Sequence, residues 1–147
     1  MIFAVLFFGA CTNSSENNGN SHAHDSAHHD SDHHESHTGA IELNDGSKWK
    51  ADPEMFDHVE AMKKSVSTFS GEAAEDYHAL AAELSDRMQL FISSCTMKGK
   101  GHDELHKWLH PYMQQVQELE KTENPETAEK LVANLHKSLL LFDNYFE

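Results

Sequence analysis

Seven histidines, His22, His24, His28, His29, His33, His34 and His37, fall in one sixteen-residue stretch, HAHDSAHHDSDHHESH. Imidazole is the commonest protein ligand for transition metals, and near neutral pH most free imidazoles are unprotonated and able to bind. Asp25, Asp30, Asp32 and Glu35 add oxygen ligands and negative charge, and no Lys or Arg occurs before Lys48. A dication therefore meets no repulsive fixed charge here. The stretch has no aromatic, Leu, Ile or Val residue, so it cannot bury enough apolar surface to fold alone. It reads as a disordered, multivalent metal-binding tract. A solubilising spacer, a pH-sensitive linker and a purification tag are the alternatives. The interleaving with acids sets it apart from a tag.

A second set of donors lies in CTMKGKGHDELHKWLH: Cys95, Met97, His102, His106 and His110. Thiolate and thioether are soft donors that favour Cu(I), and thiolate with imidazole also suits zinc. His102 and His106 are one helical turn apart, so both imidazoles can reach one ion. On a wheel of about 100° per residue they stand at the edge of the stripe Leu105, Leu109, Tyr112 and Val116, with His110 further towards solvent. Cys95, Met97, His102 and His106 are the expected ligands, and His110 is held in reserve. The alternative is packing: cysteine often behaves as a small buried hydrophobe.

Positioning these residues falls to four amphipathic patterns. The first begins at Asp52, an N-cap residue, and Pro53, and carries Met55, Phe56, Val59, Met62, Val66 and Phe69 at three- and four-residue spacing. The second carries Tyr77, Leu80, Leu84, Met88, Phe91 and Ile92, with Cys95 continuing the stripe. Thr96 to Gly101 breaks the helix. The third runs from His102 to Lys121 with Pro111 inside it, where a kink or a lost backbone bond is expected. The fourth follows Pro125 and carries Leu131, Val132, Leu135, Leu139, Phe142 and Phe146. Short connections imply an all-α, up-down-up-down four-helix bundle over residues 52–147. An ordered lead-in, residues 41–51, contains the turn Asn44-Asp45-Gly46 and Trp49, expected to pack on the core. In this topology the end of the second helix and the start of the third share a pole with Met55 and His58. His78 belongs at the opposite pole, and His136 mid-helix.

The first residues, MIFAVLFFGAC, place an apolar run and the small pair Gly9-Ala10 before Cys11, with polar residues after it. The run is too short to span a bilayer, which takes about 20 residues. The order resembles the lipobox of bacterial lipoproteins. Phe8 stands where that family usually has Leu, and no basic segment precedes the run. The resemblance implies that residues 1–10 are a signal-peptide remnant and that Cys11 is lipidated. Residues 11–40 would then tether the bundle to a membrane surface of the cell envelope. The segments LNDGSKWKAD and CTMKGKGHDELH resemble those of small bacterial envelope proteins of four-helix type, over Leu43 to Glu147. That likeness implies a helical bundle in an extracytoplasmic location and no particular activity.

A formal net charge of −14 excludes nucleic acid as a partner, because phosphate contacts need a basic surface. It favours cations. An enzyme is not expected: no nucleophile elbow, phosphate loop or HExxH occurs, Asp103 standing where the glutamate of HExxH would be. The helices also lack the paired Glu-x-x-His set of di-iron bundles. The expected function is transition-metal binding (zinc, copper or nickel) for sequestration or for delivery to a transporter or another envelope protein. Two alternatives remain. One is a partner-binding helical module with the tract as spacer. The other is a non-covalent haem bundle, which requires an inward histidine opposite Met62 or Met88.

Overall fold

The structure is a computed structural model and describes residues 39–147. The tract from His22 to His37 and the expected lipidation residue Cys11 lie outside the described residues. Four helices follow in order: α1 Pro53–Thr68, α2 Ala74–Ser93, α3 Lys100–Lys121 and α4 Pro125–Tyr145. Each packs on its chain neighbours and α4 returns to α1, which closes the bundle. The all-α four-helix fold read from the sequence is the fold observed. None of the described helices is long and apolar enough to cross a membrane.

The helix ends explain the breaks. Asn124 caps α4, its side chain accepting from the Thr127 amide at 2.9 Å, and Pro125 opens the helix. At the start of α2 the Asp76 carboxylate accepts the amides of Glu72 and Ala73. Asp52 does stand at the N-cap position of α1, but its side chain makes no cap bond. Its two oxygens accept the Thr96 amide at 2.6 Å and the Thr96 hydroxyl at 2.7 Å instead. These bonds, the amide first, hold the carboxyl below its ordinary range. Asp52 therefore ties α1 to the α2–α3 connection rather than capping its own helix.

The core is contributed by all four stripes: Met62 from α1, Leu84 and Phe91 from α2, Trp108 and Tyr112 from α3, Leu135 and Phe142 from α4. The Trp108 indole N–H donates to the Ser138 carbonyl at 2.8 Å, satisfying its one polar atom. Ile92 departs from expectation. It is exposed, and Phe91 alone turns inward at that level. Ile92 instead lines the surface groove between α2 and α3, together with Met113. α3 starts at Lys100, two residues earlier than expected, and runs through Pro111, which lies exposed on its outer face. Only the bond to the Lys107 carbonyl is lost there, and the helix continues.

The lead-in docks at the pole where α2 ends and α3 begins. Trp49 is half-buried against the core, and its backbone pairs with the C-terminus: Trp49 N–H to Tyr145 O at 2.8 Å and Glu147 N–H to Trp49 O at 2.9 Å. Its ring lies against Gly101. A Cβ built on Gly101 would stand 3.0 Å from Trp49 Cε3 and 3.5 Å from Met97 Cε, so a larger residue here would require the Trp49 ring to give by a few tenths of an ångström. Gly99, with φ +64°, makes the turn that launches α3.

Glu104 completes the junction. It is only 2 % exposed, and it accepts from the Glu42 amide at 2.7 Å and from Lys107 Nζ at 2.8 Å. Burial alone would raise its pKa. The bonds from Lys107 and Glu42 outweigh burial and hold the carboxyl below its ordinary range. A carboxylate with a lowered folded-state pKa contributes stability above its unfolded pKa, and that contribution is lost as the pH falls through the folded value. Glu104→Gln is expected to cost about 1.5–3 kcal/mol at neutral pH, the worth of hydrogen bonds to a charged group. In urea unfolding, the gap between native chain and variant should narrow as the pH drops below the ordinary glutamate range. A gap that stays constant with pH would mean that the charge of Glu104 does not matter.

Candidate metal centre

α3 carries His102, His106 and His110 at i, i+4 and i+8, which makes them one ridge of the helix. Their rings form a continuous row. His106 Nε2 is 3.1 Å from His102 Nε2, and His106 Nδ1 is 3.1 Å from His110 Nε2. Ring centroids are 4.4 Å apart for the first pair and 5.0 Å for the second, both edge-on. Each neutral imidazole carries one N–H, so His106 donates through one nitrogen and accepts through the other. The row thus shares its protons in one direction or the other.

All three rings are half-buried, because the ridge borders a groove between the end of α2 and the first half of α3. The groove has a volume of about 290 Å³. Its walls are apolar (Phe91, Ile92, Leu105 and Leu109), and its polarisable atoms come from Cys95, the three histidines and Met113. No Asp or Glu lines it. Cys95 is unbridged and half-buried, two residues beyond the end of α2. Among the described residues, no three His, Cys, Asp or Glu side chains are already arranged around one point to hold a metal ion. The pre-formed element is the His102–His106 pair, with Cys95 in the same groove.

The expected ligands separate. His102, His106 and Cys95 line the groove together, and His110 joins them rather than standing apart in solvent. The wheel moves His110 outward, yet the ring contact with His106 and the adjoining Met113 keep it at the groove. Met97 is not among the groove's lining residues. It packs on the core beside Gly101, in the junction with Trp49. Met113 is the donor that the sequence reading passed over. Its place three residues after His110, on the same side of α3, is the signal that identifies it.

The other donors lie elsewhere. Met55 is fully buried in the core. His78 Nε2 meets the Thr122 carbonyl at 3.1 Å, at the far pole. His136 borders a shallow surface depression with Val66, Phe69 and Tyr77. Met62 takes the Tyr112 hydroxyl at 3.6 Å, and every described histidine is at least partly exposed. None of them faces Met62 or Met88 from inside the core.

The segments LNDGSKWKAD and CTMKGKGHDELH meet at one junction. Asp52 binds Thr96, Trp49 covers Gly101, and Lys100 lies 6.0 Å from the Trp49 ring. These residues build the junction that fixes where α3 starts, and with it the height of His102. Compared with family models, curated proteins and solved structures, the chain matches none.

Proposed function

We propose that this chain is a transition-metal-binding protein of the bacterial envelope, held to a membrane surface through a lipidated Cys11, and not an enzyme. Its ions are captured by the tract His22 to His37 and by the groove of the bundle. The observation that supports the bundle's part is the 3.1 Å separation of His102 Nε2 and His106 Nε2. Two nitrogens bound to one tetrahedral ion at about 2.0–2.1 Å stand roughly 3.3 Å apart, so the pair needs little movement to take an ion. The ion would replace the proton the two rings share.

His106 would then keep its Nδ1–H directed at His110 Nε2. An outer partner of this kind fixes the tautomer and the ring of a metal-bound histidine. His110 is thus a positioning residue and His102 and His106 are ligands. The tract supplies capacity through many weak, exchangeable sites, and the groove supplies selectivity.

Equilibrium dialysis tests this with the full chain. One sample is native; in the other, His22, His24, His28, His29, His33, His34 and His37 are changed to Asn. The native chain is expected to bind several ions of zinc, copper or nickel, and the tract variant to retain one. If the native chain binds none of the three at micromolar concentration, the proposal fails. If the tract variant binds none, the groove has no part in it.

A further inference from the structure

We infer that the groove between α2 and α3 is a monovalent-copper site, with Cys95, His102 and His106 as ligands and Met113 as an additional thioether contact. The inference rests on the metal-binding reading above and narrows it to one ion.

Donor chemistry is the first argument. Cys95, His102, His106 and Met113 all line one groove, and no carboxylate lines it. A thiolate, two imidazoles and a weak thioether are a combination that copper takes, and soft sulfur donors favour the Cu(I) state. Zinc sites that close on protein ligands collect four donors of Cys, His or carboxylate type, and the thioether of Met113 suits Cu(I) better than zinc. Among the described residues no three Cys, His, Asp or Glu groups are already arranged to hold an ion, so Cys95 has to close on the His102–His106 pair.

Charge is the second argument. The walls are the aliphatic and aromatic side chains of Phe91, Leu105 and Leu109. An uncompensated charge among such walls is costly. One thiolate with two neutral imidazoles balances a monovalent cation, and the filled site is neutral. A divalent cation would leave one positive charge in the groove. The α2–α3 connection's own formal charge is that of Lys98; the Asp52 carboxylate bound to it is taken up by the Thr96 amide and hydroxyl, and Asp103 beside His102 is exposed.

Position is the third. Cys95 lies beyond the last turn of α2, where its backbone amide bonds back to Ile92 O at 3.2 Å. Cys95 is therefore not held inside a helix, and it packs half-buried against the core where it lines the groove. His102 lies in the first turn of α3, its amide bonded to Gly99 O at 2.9 Å, and His106 one turn further on, in contact with it. The site would thus draw a pair of imidazoles from one helix and a thiol from the adjoining connection.

The experiment uses the full chain with its seven tract histidines changed to Asn, kept anaerobic. Cu(I) is titrated against a chromophoric Cu(I) chelator, and Zn(II), separately, against a chromophoric zinc chelator. Cys95→Ser is expected to weaken Cu(I) on the order of 100-fold and Zn(II) by less than about tenfold. Met113→Leu, which keeps the volume, should weaken Cu(I) by a few-fold and leave Zn(II) unchanged. X-ray absorption of the Cu(I) form should show sulfur and nitrogen scatterers together. Circular dichroism checks that each variant is folded, and Cys95→Ala replaces Cys95→Ser if the latter unfolds. Cu(I) affinity unaffected by loss of Cys95, or Cu(I) and Zn(II) weakened equally, overturns the copper assignment and leaves the metal-binding reading standing. If His102→Ala and His106→Ala together leave both metals bound as before, the metal-binding reading of the groove itself fails.

Discussion

His106→Ala is expected to abolish high-affinity metal binding by the bundle, weakening it on the order of 100-fold or more. Two effects combine in this one position. His106 supplies one nitrogen of the pair that stands 3.1 Å apart, and its other nitrogen reaches His110 at 3.1 Å. Its removal takes a proposed ligand and also leaves His102 without the neighbouring ring. His110→Ala removes only the outer partner and should cost roughly tenfold, the lower range for loss of such a contact. Both side chains are half-buried at the edge of the core, so the fold should survive. Titration of the tract-neutralised full chain, with circular dichroism alongside, measures both. Equal losses for His106→Ala and His110→Ala would show that the row binds as three equivalent histidines and not as a pair with a positioning partner.

Phe142→Ala is expected to be among the most destabilising single substitutions in the bundle, at about 3–5 kcal/mol. Phe142 is fully buried on α4 and touches an aromatic ring from every other helix. Its centroid lies 5.5 Å from Phe56 of α1, 5.9 Å from Phe91 of α2 and 4.9 Å from Trp108 of α3, with Phe146 stacked at 4.7 Å. Truncation leaves a cavity that these rings cannot fill without losing their edge contacts, each worth about 0.5–1.5 kcal/mol beyond buried area. Leu140, two residues earlier and half exposed, should change stability by less than about 0.5 kcal/mol when cut to Ala. Urea unfolding followed by far-ultraviolet circular dichroism distinguishes them. A loss below 1 kcal/mol at Phe142 would mean that the core repacks freely, and the aromatic hub would not be a hub. Phe91 also forms a wall of the groove between α2 and α3, so Phe142→Ala should weaken the proposed metal binding as well, through the fold.

Periodicity carried the fold. The stripes of α1 to α4 were legible because burial on one side of a helix repeats every three or four residues, and the bundle interior is made of those stripes. Pro53 and Asn124-Pro125 marked two helix starts for equally local reasons. The His102–His106 pairing was also legible, since a four-residue step places two side chains on one ridge whatever the helix packs against.

Partnership between distant segments could not be read this way. Asp52 has the right type for an N-cap, yet Thr96, forty-four residues on, takes its carboxylate. Met97 and Met113 are alike as donors, and only the docking of Trp49 over Gly101 draws Met97 into the junction while Met113 stays at the groove. Glu104, inside the letters that suggested metal chemistry, is a buried latch for the lead-in. The sequence by itself determined the donors, the helices and the spacing of the histidine row, because each depends on residues within a turn or two of one another. Tertiary structure alone decided which donors share a groove and which become packing. That choice depends on how α2, α3 and the lead-in meet at one pole, and no local pattern encodes it.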